Sequence, residues 1–210
     1  MPTPGRTPRA PAEPRRPTPA ERRAARGRRV PDVIAPKLDI LFVGINPGLW
    51  SGATGHHFAR PGNRFWPALH RAGLTPRQFA PHEERELLKY GIGITNIVNR
   101  TTAAAGELSK KELIAGGRRL TAGIRRRKPR IVAFLGIEAY RAAFGVKRAP
   151  VGRQETGIGG AAVWVLPNPS GLNASYQLRD FARLFRQLRA AVNDATVRGW
   201  RRGSSRRRSA

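Results

Sequence analysis

An α/β fold, a mostly parallel sheet covered by helices on both faces, follows from three features of the sequence. Short apolar runs recur through the middle of the chain, each stops abruptly at a Gly, Pro or Asn turn, and the stretches between them carry helical periodicity. Strand alternating with helix is the pattern that right-handed crossovers turn into a parallel sheet with two helical layers. The runs predict strands over 38–45, 92–98, 131–135 and 162–166. A long Gly-rich loop is expected over 49–66, leading into a helix over 63–72, and another helix is expected over 81–89. Ser109, with Glu112 three residues on, reads as a capping box that starts a long helix ending near Arg127, before Pro129. A short helix through 140–144 and a last one over 176–192 complete the pattern.

Charge bounds the function. Forty Lys and Arg stand against thirteen Asp and Glu, a formal net charge of +27. Residues 1–36 hold nine Arg and three acids (+6), and residues 196–210 hold six Arg and no acid (+6), which leaves +15 for the middle. A core this basic favours a polyanion, most simply nucleic acid; a highly charged soluble surface is the blander alternative. Residues 1–36 are rich in Arg and Pro and poor in large apolar side chains, so they are expected to be a disordered basic arm. Residues 196–210 are expected to be a second such tail, with one folded domain over 37–195.

Composition removes several chemistries. There is no cysteine, which excludes disulfides, thiolate nucleophiles and iron–sulfur clusters. The four His are scattered or directly adjacent, as at His56 and His57, so no metal site is expected. No apolar stretch approaches the roughly 20 residues that cross a bilayer, and the amino terminus lacks the apolar middle of a secretory signal, so a soluble intracellular protein without a membrane partner is expected. No phosphate-cradling or dinucleotide Gly motif follows the first strand, which weakens an oxidoreductase reading, and no cofactor is expected.

Two strands end in similar loops. The first delivers Gly44-Ile45-Asn46-Pro47-Gly48 and the last Pro167-Asn168-Pro169-Ser170-Gly171. Open α/β sheets keep their sites at this carboxyl edge, so Asn46 and Asn168 are expected to stand on two walls of one cleft. Asn46 before Pro also suits an ordinary turn. The loop 49–66 offers Gly amides, His and Arg donors and the ring of Phe58, which are the parts that receive an extruded nucleobase; a plain core contact for Phe58 is the alternative.

The peptides Gly44-Ile45-Asn46-Pro47-Gly48, Gly55-His56-His57-Phe58, Pro61-Gly62-Asn63-Arg64-Phe65-Trp66, Gly93-Ile94-Thr95-Asn96-Ile97-Val98 and Leu166-Pro167-Asn168-Pro169-Ser170-Gly171-Leu172 occur in this order. In order and spacing the chain resembles the mismatch-specific uracil/thymine-DNA glycosylases, a branch of the uracil-DNA glycosylase superfamily, over about residues 37–192. The resemblance implies a three-layer α/β/α sandwich and a monofunctional base-excision activity on double-stranded DNA containing G·U or G·T mispairs. It implies that Asn46 positions the attacking water and Phe58 stacks on the extruded base. The backbone around Ile45, Gly48 and Phe58 would hold the base edge, with Asn168 facing the target nucleotide. It further implies that Gly171, Leu172 and Asn173 form a wedge that fills the vacated stack and meets the orphan guanine. Ser51, His57 and Asn96 would then tune the pocket between uracil and thymine.

The chain departs from the bacterial pattern after Leu172, where Asn173-Ala174-Ser175-Tyr176 replaces a more usual polar and Arg sequence. On this resemblance a bacterial, cytoplasmic, monomeric protein held near the nucleoid by DNA is expected. The alternative from a different class is a noncatalytic nucleic-acid-binding protein on a glycosylase-like scaffold, which would require neither Asn46 nor Phe58.

Overall fold

The computed structural model describes residues 15–194. Its centre is a five-stranded sheet formed by β1 (Ile40–Gly44), β2 (Ile92–Asn96), β3 (Ile131–Leu135), β4 (Gly152–Arg153) and β5 (Ala162–Leu166), in the order β2-β1-β3-β5-β4. β1 pairs in parallel with β2 and β3, and β3 with β5; only the two-residue edge strand β4 runs antiparallel. All five positions of β1, β2, β3 and β5 are buried, as a sheet covered on both faces requires, and this is why they read as continuous apolar runs.

Alternate strand residues feed two separate cores. Ile40, Phe42, Ala133 and Trp164 face one helical layer, α3 (Phe65–Arg71) and α6 (Leu178–Asn193), through Phe65, Leu69, Phe181 and Phe185. Leu41, Val43, Phe134 and Val165 face the other, α4 (Lys110–Arg127) and α5 (Ile137–Phe144), through Leu120, Ile124 and Tyr140. The result is the expected three-layer α/β/α sandwich. α4 begins at the expected capping box: the Ser109 hydroxyl accepts from the Glu112 N–H at 3.2 Å, and the Glu112 carboxylate accepts from the Ser109 N–H at 2.9 Å. It ends at Lys128, in the left-handed conformation before Pro129.

Four elements differ from the sequence reading. The segment 15–36, expected to belong to a disordered arm, is folded: α1 (Pro19–Ala24) is capped by Thr18 and Glu21, Ala25, Val30 and Val33 are buried, and Arg29 and Val33 form bridges to Arg100 and Ile94. Backbone pairing and three modest apolar side chains supply what large apolar residues were expected to. Residues 1–14 of that arm and the tail 196–210 lie outside the described residues. The expected loop 49–66 opens with a short helix, α2 (Leu49–Thr54), which Gly55 stops in the left-handed conformation at φ 77°. Residues Pro81–Tyr90 wind as a 3₁₀ helix, in which positions three apart eclipse, so Glu84 and Leu87 both point inward. The edge strand β4 is too short to leave a pattern in the sequence.

Phe42 is the hinge of the first core, with its ring centroid 5.2 Å from that of Phe65 and 5.1 Å from that of Phe185. Phe42→Ala is expected to lower unfolding free energy by about 3–5 kcal/mol, read as a fall in urea midpoint at unchanged slope.

Candidate active site at the carboxyl edge of the sheet

Strand order reverses between β1 and β3, so the loops that follow them diverge and leave a crevice at their carboxyl ends. A cavity of about 710 Å³ opens there. The site residues singled out from the sequence line it, with the exception of Gly171, which lies between the lining residues Ser170 and Leu172 and where an added Cβ would meet the Gly62 carbonyl oxygen at 2.9 Å.

Asn46 follows β1 directly. Its Nδ2 donates to the carbonyl oxygens of Pro47 at 3.1 Å and Arg100 at 3.0 Å, and to the Thr102 hydroxyl at 2.7 Å. Two of these three partners are carbonyls that can only accept, so the amide orientation is determined and Oδ1 is the atom left for the cavity. The Thr102 hydroxyl passes its own proton to the Ala104 carbonyl at 2.8 Å, which leaves its lone pair for Asn46. Thr102 itself is buried.

The aromatic wall is set by a pinned backbone. The His57 N–H donates to the buried Glu84 carboxylate at 2.7 Å, and the His57 carbonyl accepts from the Trp66 indole at 3.3 Å. Phe58 follows with φ 53°, a left-handed conformation unfavourable for a bulky side chain and held here by its neighbours. Its ring stacks on Phe65 at 4.2 Å with a 27° interplanar angle, so one face is backed by the core and the ring borders the cavity.

His57 is buried, and its Nε2 lies 3.0 Å from the Pro31 carbonyl. A carbonyl requires a donor, so Nε2 carries the proton in the neutral ring and Nδ1 accepts. Nδ1 stands 3.4 Å from Asn96 Nδ2, which therefore donates, and Asn96 Oδ1 turns toward Gly44. A Cβ at position 44 would lie 2.5 Å from that oxygen, so any larger residue there has to displace the Asn96 side chain. His56 completes the cluster, its Nδ1 3.1 Å from the other Glu84 oxygen.

Asn168 spends Oδ1 on the Ser170 N–H at 3.1 Å, which leaves its Nδ2 as a donor at the opposite wall. The Asn173 amide is committed within its loop, donating to the Asn168 carbonyl at 3.0 Å and accepting from the Ser175 N–H at 3.1 Å. Leu172, by contrast, is 73% exposed at the loop tip. The loop is tied to its neighbour by Arg64, whose Nη1 donates to the Ser170 and Asn173 carbonyls at 2.8 and 3.0 Å. The Ser51 hydroxyl accepts from the Ala59 N–H at 3.3 Å and so fastens α2 to the Phe58 loop. The Ile45 carbonyl is taken by the Val98 N–H at 2.9 Å, and Gly48 is the N-cap of α2.

Sequence reasoning missed Thr102, Glu84, Trp50 and the α1 residues Pro19, Arg22 and Arg23. The Thr18-Pro19-Ala20-Glu21 capping pattern was the available signal for α1. Thr102 and Glu84 act through partners far along the chain and carry no local signature.

Burial pushes the His57 imidazole below its ordinary value of 6.5, against the opposing pull of the Glu84 carboxylate. The native ring thus holds its proton less tightly than the unfolded one, and stability is full above pH 6.5 and falls as the pH drops below it. The slope from this group approaches about 1.4 kcal/mol per pH unit until the folded value is passed. Thermal unfolding between about pH 7.5 and pH 5 is expected to show this loss, and His57→Gln to show a shallower one.

A family model described as the uracil DNA glycosylase superfamily matches residues 31–192. A solution NMR structure of a protein from Methanosarcina acetivorans, described as a candidate uracil DNA glycosylase, is similar to this chain at 22% sequence identity and a TM-score of 0.53. The match covers 78% of this chain and 98% of that one, and at this identity it speaks to the fold. Since the family model spans most of the chain, and its residues enclose a cavity at the switch point of the sheet, the chain belongs to the uracil DNA glycosylase superfamily.

Proposed function

We propose that the protein is a monofunctional glycosylase of the mismatch-specific uracil/thymine branch, hydrolysing the N-glycosidic bond of uracil mispaired with guanine in double-stranded DNA. The observation that carries this reading is the locked Asn46 amide, with its oxygen left for the cavity that Phe58 borders. An extruded pyrimidine stacks on Phe58. Asn46 Oδ1 accepts a hydrogen bond from a water beneath C1′, and its neutral amide orients that water without deprotonating it.

The C1′–N1 bond breaks with its electron pair going to the base, the sugar gains oxocarbenium character, and the water oxygen bonds to C1′. The water proton leaves to solvent, so the products are an abasic site and the free base. Donors lining the cavity, Asn168 Nδ2 among them, stabilise the departing uracil anion. Among the described residues no lysine lines the cavity, in keeping with hydrolysis in place of a Schiff-base route to strand cleavage.

Leu172, exposed at the loop tip, fits the wedge that occupies the vacated stack, with Gly171 and Asn173 shaping its loop. A G·U or G·T mispair lowers the cost of extrusion, by up to a few kcal/mol, which supplies part of the selectivity. Ser51, His57 and Asn96 form the end of the pocket that meets the base edge and sets the acceptance of thymine beside uracil. The excess of basic side chains suits a DNA partner and a steep salt dependence.

Asn46→Ala is expected to lower the single-turnover excision rate on a G·U duplex by about 10²–10⁴-fold while duplex binding persists. Alkali-labile sites report excision and a gel shift reports binding. A wild-type protein that shifts the duplex without creating abasic sites would instead be a noncatalytic binder. The same assay across G·U, G·T and A·U duplexes measures the mispair preference.

A further inference from the structure

The cavity has a cationic rim that the chemistry above does not use. Arg22, Arg23 and Arg60 line it, and among the described residues no Asp or Glu does. Arg22 and Arg23 belong to α1, which the segment 27–33 holds in place. The Gly27 N–H donates to the Thr101 carbonyl at 2.9 Å, the Thr101 N–H returns a bond to the Arg28 carbonyl at 2.9 Å, and Arg26 pairs with Glu107. This places α1 beside α2, across from the loop that carries Asn168 and Leu172.

The Arg22 guanidinium lies over the Trp50 indole, 4.7 Å from the ring centroid. Stacking of this kind orients a guanidinium while leaving its in-plane N–H groups to a ligand. Its Nε is buried without an acceptor. Arg15 and Arg26 on the same segment are paired with Glu21 and Glu107, whereas Arg22 and Arg23 have no acidic partner among the described residues. The Arg22 Nε is enclosed and out of a ligand's reach, but Arg22 as a whole is only partly buried and lines the cavity. A stacked guanidinium with no acidic partner, in a wall where no described residue supplies a carboxylate, is a site whose complement is an anion with several acceptor oxygens.

We propose that Arg22, oriented by Trp50 and assisted by Arg23, binds a phosphodiester of the DNA strand that carries the extruded base. The inference rests on the glycosylase reading of the cavity. It makes α1 a working part of the site: a planar donor array would meet a non-bridging phosphate oxygen and hold the backbone in the everted geometry while the base sits on Phe58.

The test is the affinity of the full chain for a duplex carrying a tetrahydrofuran abasic analogue opposite guanine, measured against salt concentration, which reads phosphate contacts without chemistry. Arg22→Gln is expected to weaken binding about tenfold at low salt and to reduce the slope of log K against log salt by about 1. Arg22→Lys keeps the charge but loses the flat stack, and is expected to retain the slope with weaker binding. Arg141→Gln removes a cation already paired with Glu138 on α5 and is expected to bind as wild type.

Unchanged or tighter binding by Arg22→Gln, Arg22→Lys equal to wild type, or an equal loss in Arg141→Gln would overturn the inference. Release of uracil by the wild-type protein is scored separately on a G·U duplex. If uracil is released but Arg22→Gln binds normally, this inference alone fails; if none is released, the glycosylase reading fails.

Discussion

The site depends on one side-chain amide being unable to turn. Asn46 Nδ2 is surrounded by the Pro47 and Arg100 carbonyls and the Thr102 hydroxyl, all presenting lone pairs. Nδ2 has two protons for these three acceptors, so one is shared, and rotating the amide would set oxygen against two carbonyl oxygens and forfeit both donations at once. The clamp is assembled from distant parts of the chain, since Arg100 and Thr102 are 54 and 56 residues from Asn46. It holds because the segment 100–102 is itself fixed, by the Thr102 N–H to Pro47 carbonyl bond at 3.1 Å and by pairing with the segment 27–29.

A second network does for the pocket what the clamp does for Asn46. Glu84 receives the His57 N–H and pairs with His56; the neutral His57 ring donates to Pro31 and accepts from Asn96; Asn96 in turn crowds Gly44 at the end of β1. Each link has one allowed donor direction, so the chain of bonds reaches from the 3₁₀ helix to the sheet edge with a single arrangement. The same pinned His57 backbone imposes the left-handed conformation of Phe58, whose ring then rests on Phe65 and the first core. Pocket shape and core packing are therefore one structure.

The parts legible in the sequence are those whose cause is local. β1, β2, β3 and β5 are buried on both faces, so their apolar runs and abrupt Gly or Pro ends mark them, and Ser109 with Glu112 marks the start of α4. Asn46 and Asn168 stand out because the strand exits place them at the sheet edge. What was obscured has other causes. α1 is six residues long within an Arg and Pro background and is held by backbone pairing of the segment behind it, in which Val30 and Val33 are the only buried large apolar residues. α2 sits among glycines that suggest a loop. The roles of Thr102 and Glu84 arise from tertiary pairing and have no counterpart in spacing.

Under the proposed function the assembly is a rigid receptor for a base drawn out of the duplex, with an oriented carboxamide oxygen, a backed aromatic ring and the Asn168 donor bordering one cavity. Under that function it is the fixed amide, beyond the mere presence of Asn46, that positions the water. The most direct measurement is the single-turnover excision rate of Thr102→Val on a G·U duplex at saturating protein. Thr102→Val removes one acceptor from the amide and leaves the side-chain volume nearly unchanged. A drop of about tenfold, the rate equivalent of about 1.4 kcal/mol, with duplex affinity retained is the predicted result. An unchanged rate would contradict the account.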